Sequence, residues 1–134
     1  MQKHNLHFSN MTPLKLLQLV IRTPKGDMSR DQIKHLIYGM SIYRSVFLLE
    51  LAQYDTPVRT GDMQHASQKC CDHRYLKGWK GHERYITKIK HEQFTNPHSY
   101  YTYILTEKGR EEAAEISANL QGMIDQIAKS KMIA

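Results

Sequence analysis

The stretch "YYTYILTEKGREEAAEI", residues 100–116, changes character halfway, and it constrains the fold more than any other segment. Tyr100, Tyr101, Thr102, Tyr103 and Ile104 are aromatic or β-branched residues that suit a half-buried pleated strand. Glu111 to Glu115 are strong helix formers. A strand that passes so directly into a helix needs a neighbouring strand and a surface for the helix to cover. "RYITKIKHEQF" (84–94) is rich in β-formers, and "TNPHS" (95–99) supplies Asn and Pro for a loop, so a hairpin is predicted. Ile86, Ile89 and Gln93 also fit a helix, but the strand after Ser99 would then lack a partner.

Helical spacing dominates elsewhere. Thr106 can cap a helix whose first turn holds Glu107. Along it Ala113, Ile116, Leu120, Met123 and Ile127 step by three and four, and Ile124 widens the stripe. Near the start, Thr12 and Pro13 read as a cap and first helical position before Leu14, Leu17, Val20 and Ile21. Ser29 and Gln32 form a capping box opening "DQIKHLIYGM". "SIYRSVFLLELAQY" (41–54) is a third apolar helix, which "DTPV" breaks. Thr60 caps a short helix, "GDMQHAS", and another runs from about Ser67 to Trp79, with Gly81 as its stop. The order is helix, short helix, helix, hairpin, helix: an α+β chain, mainly α.

A chain of 134 residues suggests one structural domain. Residues 1–40 would support or dimerise, 41–106 would form the core unit, and 107–134 would form a terminal dimerisation helix. No apolar run reaches the roughly eighteen residues of a membrane span. "MQKHNLHFSN" has no signal-peptide core, so the expected location is the cytoplasm, with no membrane partner. The formal charge is +6. The sequence pI of about 9.3 directs attention to polyanions, nucleic acid first.

The junction "YILTEKGRE" (103–111) resembles the Y-x-L-T-x-x-G-R-E passage from wing to C-terminal helix in bacterial winged helix-turn-helix transcriptional regulators, the broad MarR, PadR and SarA group. "VRTGDMQHAS" (58–67) resembles the opening of their helix-turn-helix, and the spacing from Trp79 to Thr106 suits a wing. The likeness covers roughly residues 41–110. It implies a winged helix, double-stranded DNA as partner, and a homodimer. "SQKCCDH" and the two glycines of "LKGWKGH" depart from the usual recognition helix.

The chemistry of the residues points the same way. On a wheel of about 100° per residue, Lys69, His73, Lys77 and Lys80 share one arc, while Cys71, Tyr75 and Trp79 share nearly the opposite one. Such a helix has an anchored back and a cationic front, as a major-groove helix needs. Arg74 lies at its flank. A solvated basic face is the plainer interpretation of those charges taken alone. The wing carries Lys88, Lys90 and His91 on one strand and Asn96 and His98 at its tip; the resemblance implies that Lys88, Lys90 and the 96–98 tip would clamp the DNA backbone. Lysines also serve simply to block edge-strand pairing. Arg59 and Thr60 could hold a phosphate at a helix start. The tyrosines near residue 100 fit core packing better than base stacking, with Tyr103 and Leu105 facing in and Tyr100 and Thr102 facing out.

No zinc, cofactor or enzyme is expected. Adjacent Cys70 and Cys71 do not match zinc-ligand spacing or a disulfide framework. Cys71 would be a small core residue and Cys70 incidental; a thiolate acidified by Lys69 is the alternative. There is no phosphate loop, G-x-S-x-G or H-E-x-x-H. The apolar stripes of Leu14, Leu17 and Ile21 and of Ile116, Leu120, Met123 and Ile127 would be shared by two chains around a two-fold axis. Packing within one chain would bury the same stripes. The expected protein is a homodimeric, sequence-specific DNA-binding regulator. A winged-helix module for protein partners and a small RNA-binding or replication-associated protein are the alternatives.

Overall fold

The structure, a computed structural model, describes residues 11–22, 42–68, 70–71, 76–93 and 101–133, with the backbone alone at 22, 127 and 130–133. Its helices are α1 (Pro13–Arg22), α2 (Ile42–Leu51), α3 (His65–Gln68) and α4 (Glu107–Ile133), and its strands are β1 (Ile86–Lys90) and β2 (Tyr101–Leu105). Short 3₁₀ turns occupy Thr60–Asp62 and His82–Arg84. The class is α+β, mainly helical, with a two-stranded antiparallel sheet. The order of elements is compatible with a winged helix. Among the described residues no helix is long and apolar enough to cross a membrane. The capping box at Ser29 and its helix lie outside the described residues.

The three longer helices form one core. At the start of α1 the Lys15 amide donates to Thr12 Oγ1 at 3.2 Å, so Thr12 is the cap that the sequence indicates. Leu14, Leu17 and Val20 turn inward. Helix α2 is buried almost all round, with only Tyr43 exposed and Arg44 half-buried along its length. On α4, Ala113, Ile116, Leu120 and Ile124 cover α1 and α2. Leu17, Ile116 and Leu120 are each 0 % exposed, so every one contributes roughly 1.5–3 kcal/mol of burial.

That packing corrects the assignment of the stripes to a dimer. Leu14, Leu17, Ile116 and Leu120 are interior to one chain, and Ile21 and Met123 are half-buried against the same core. The Ile127 side chain lies outside the described residues. Helical periodicity identified the buried faces correctly. Each stripe packs chiefly on α2, and the two also touch each other.

The hairpin is antiparallel, as the alternation predicts, with Ile86 opposite Leu105, Lys88 opposite Tyr103 and Lys90 opposite Tyr101. Val58 adds a third segment on the far edge of β2. Its amide donates to the Tyr103 carbonyl at 3.0 Å, and the Tyr103 amide donates back at 2.9 Å. The sequence reading did not anticipate this bridge. Ile86, Tyr103 and Leu105 enter the core, and the Phe47 and Tyr103 rings meet edge-on at 5.5 Å. Thr102 also is buried, contrary to its expected outward face, and its hydroxyl bonds to His91 Nε2 at 2.9 Å.

The junction after β2 is densely constrained. Thr106 donates its hydroxyl to the Arg84 carbonyl and its amide to the Tyr85 carbonyl, and its Oγ1 accepts from the Gly109 amide at 3.0 Å. The first turn of α4 therefore lies directly on the backbone of residues 84–85. A Cβ on Gly109 would strike the Tyr85 carbonyl oxygen and stand 2.9 Å from its carbon. Arg110 donates Nη2 to the Tyr54 carbonyl at 2.9 Å, tying α4 to the end of α2.

Two helices expected between residues 60 and 79 are corrected. "GDMQHAS" divides into the 3₁₀ turn and α3, and Thr60 does not cap it. The Thr60 hydroxyl donates instead to the Cys71 carbonyl at 2.8 Å. The continuous helix from Ser67 to Trp79 is broken at Cys70–Cys71, a turn held by the Cys70 amide on the Ser67 carbonyl at 2.9 Å. Cys70 and Cys71 are 1 % and 0 % exposed. Both thiols face the core from this turn. Cys70 is therefore a core residue rather than incidental.

Candidate nucleic-acid interface

Residues 76–84 follow that turn and form one wall of an open groove. Leu76 and Trp79 point inward, 2 % and 5 % exposed, while Lys77 and Lys80 between and beside them are exposed. Arg44 of α2 anchors the segment from behind. Its guanidinium lies 5.3 Å from the Trp79 ring and donates Nη2 to the Gly78 carbonyl at 3.1 Å. Trp79 also stacks on Tyr85 at 5.8 Å. Gly81 turns the chain with φ of +79°, a left-handed conformation natural to glycine.

The hairpin forms the other wall. Residues directly opposite in an antiparallel pair share a face. The register therefore places Lys88 and Lys90 with Tyr101 and Tyr103 on the face that begins in the core at Ile86 and Leu105. Lys88 Nζ sits 4.5 Å from the Tyr101 ring centroid. Leu76, Lys77, Trp79, Lys80, Gly81, His82, Glu83, Lys88 and Tyr101 line a groove of about 630 Å³. Glu83 is the one acid among the described residues of that lining. It lies 3.4 Å from His82 Nδ1, whose hydrogen is also directed at the Trp79 carbonyl at 3.1 Å.

The groove gathers three of the cations singled out from the sequence, Lys77, Lys80 and Lys88, from segments on two sides of the 3₁₀ turn at 82–84. Lys90 follows on the same strand face. Lys69, His73, Arg74, Asn96 and His98 lie outside the described residues. The helical arc that was to join Lys69 and His73 to Lys77 and Lys80 is interrupted at Cys70–Cys71. Arg59 and Thr60 are half-buried and do not line the groove, and the three-residue 3₁₀ turn after Arg59 offers no extended helix start. His91 is engaged by Thr102. His82 and Tyr101 were not proposed as binding residues. The register of the hairpin, once known, finds Tyr101; no sequence pattern marks His82.

Apart from the groove, the chain holds a buried polar cluster. Glu50, 0 % exposed, accepts from Tyr54 Oη at 2.7 Å and from the Gln64 amide at 3.3 Å. Gln18 donates to Gln64 at 3.0 Å and to Ser67 at 2.7 Å, linking α1 to α3. Burial, then Glu50 through its hydrogen bond and charge, pushes the Tyr54 hydroxyl up to about 12. Burial pushes the Cys70 thiol up to about 12, and burial, then Glu50, raises Cys71 well above the usual range. These thiols are the reverse of acidified. Among the described residues no cluster of three His, Cys, Asp or Glu side chains could hold a metal.

No family model matches the chain, and neither a curated protein nor a solved structure resembles it significantly.

Proposed function

We propose that this protein binds double-stranded DNA through the groove between residues 76–84 and the hairpin, as a winged-helix transcriptional regulator. The observation that carries this is the convergence of Lys77, Lys80 and Lys88 on one open groove, with a single acid among its described lining residues. A cationic groove backed by a rigid aromatic anchor suits a sugar–phosphate strand, which supplies most of the affinity in protein–DNA contacts. The order α2, bridge at Val58, α3, turn, residues 76–77 and hairpin supports the same reading. A homodimer in the cytoplasm belongs to the proposal, with its interface on surfaces other than the internal stripes.

The test is a titration of random duplex DNA with the wild type and with Lys77→Glu/Lys80→Glu at two salt concentrations. Binding should weaken steeply with salt and be lost in the double variant. Absent binding, or binding unchanged in the variant, rejects the groove and favours a protein-interaction module with a solubilising basic face. Sedimentation at two protein concentrations tests the dimer.

A further inference from the structure

We infer that Tyr101 is a positioning residue of this groove, holding the Lys88 ammonium over its ring where the wing meets a phosphate. The inference rests on the DNA-binding reading above. It concerns how one cation is made ready, which the charge pattern alone does not address.

A lysine ends in a compact charge on a flexible four-carbon stem, so an exposed lysine has no fixed position of its own. Lys77 and Lys80 are exposed, and no contact among the described residues fixes either ammonium. Lys88 differs. Its Nζ lies 4.5 Å from the centroid of the Tyr101 ring, inside the roughly 6 Å reach of a cation–π contact. The register produces this meeting. Lys88 faces Tyr103 directly, and Tyr101 is the diagonal neighbour on the same face.

The ring is itself held. Tyr101 is half-buried and pairs through its backbone with Lys90. Its ring lies beside that of Tyr103, centroids 6.5 Å apart, and Tyr103 is 2 % exposed in the core. Core, Tyr103, Tyr101 and Lys88 thus form a continuous chain of support out to the groove. The ammonium has three N–H donors, and a ring on one side leaves donors on the other for a phosphate oxygen. A leucine at 101 would preserve much of the packing and remove the π face. A phenylalanine would keep both.

The experiment compares wild type, Tyr101→Phe, Tyr101→Leu, Lys88→Gln and Lys88→Gln/Tyr101→Leu. Each is titrated with random duplex DNA at two salt concentrations, and the free proteins are examined by proton NMR. Protons next to Nζ of Lys88 should be shifted upfield by the ring in wild type and Tyr101→Phe, and return to the free-lysine position in Tyr101→Leu. Tyr101→Leu should weaken DNA binding about two- to fivefold, the span an exposed cation–π contact supports, while Tyr101→Phe stays near wild type. Lys88→Gln should reduce the salt slope by about one. In that background Tyr101→Leu should cost nothing more. Equal losses in Phe and Leu variants, an undiminished Tyr101→Leu effect without Lys88, or unshifted Lys88 protons would overturn the inference and leave the DNA reading standing. Wild type that does not bind duplex DNA overturns both. Should Tyr101→Leu disturb the hairpin, the ring shift in wild type and the Lys88→Gln salt slope still decide.

Discussion

The junction at residues 103–111 and the groove at residues 76–88 are neighbours along the chain, yet they are built on opposite terms. In the junction nearly every named side chain is committed to packing. Tyr103 and Leu105 are in the core, Thr106 joins three backbone groups, Gly109 admits the Tyr85 carbonyl and Arg110 holds Tyr54. In the groove the lysines are exposed, while Leu76, Trp79 and Ile86 beside them are buried. The segment whose motif prompted the winged-helix expectation is therefore the architectural one. Its residues are required because a helix must start on the backbone of the preceding turn, whatever the domain then binds. The junction motif consequently speaks to architecture, while DNA binding must stand on the lysines.

Variants can break this contrast, and the largest effect is expected at Gly109. Gly109→Ala places a methyl group against backbone that cannot rotate away, so α4 must shift or the chain must lose about 3 kcal/mol or more. Thermal unfolding monitored by circular dichroism would show it, and an unchanged Tm would mean that the close approach is not rigid. Leu120→Ala should cost about 2–5 kcal/mol through its cavity. If that loss depended on protein concentration, Leu120 would belong to an interface between chains after all.

Thr106→Ala should cost about 1–2 kcal/mol, the usual worth of a helix cap. DNA affinity at temperatures below the transition should hardly change, which sharpens the division between the two regions. The buried thiols add a pH effect of known sign. The folded Cys70 thiol keeps its proton up to about 12, against 9.0 ordinarily. Between those values the unfolded chain binds fewer protons than the folded one, so stability falls as pH rises through that window and is complete below it. Unfolding midpoints from pH 8 to 11 should fall less steeply in Cys70→Ala.

The smallest stability effect should come from the groove itself. Lys77→Glu/Lys80→Glu lies on exposed positions and should alter stability by no more than about 0.5 kcal/mol per site. Its effect on DNA binding should be the greatest of all these variants. A large loss of stability in this pair would show that the lysines are architectural too, and the contrast would fail.

The sequence by itself determined what local physics governs. Alternation set the hairpin and the inward face of Tyr103 and Leu105; residue chemistry set the caps at Thr12 and Thr106; and three-and-four spacing marked Leu17, Ile116 and Leu120 as buried. Only the tertiary structure decided which surfaces meet. Periodicity says that a face leaves water but does not name its partner, so stripes assigned to two chains closed within one, chiefly on the α2 helix between them. Wheel geometry assumes an unbroken helix, and the chain instead turns at Cys70–Cys71, with both thiols buried. The groove depends on both kinds of information. Its lysines are visible in the sequence, but Tyr101 under Lys88, and Lys77 across from them, are brought together by strand register and by a backbone turn at Gly81.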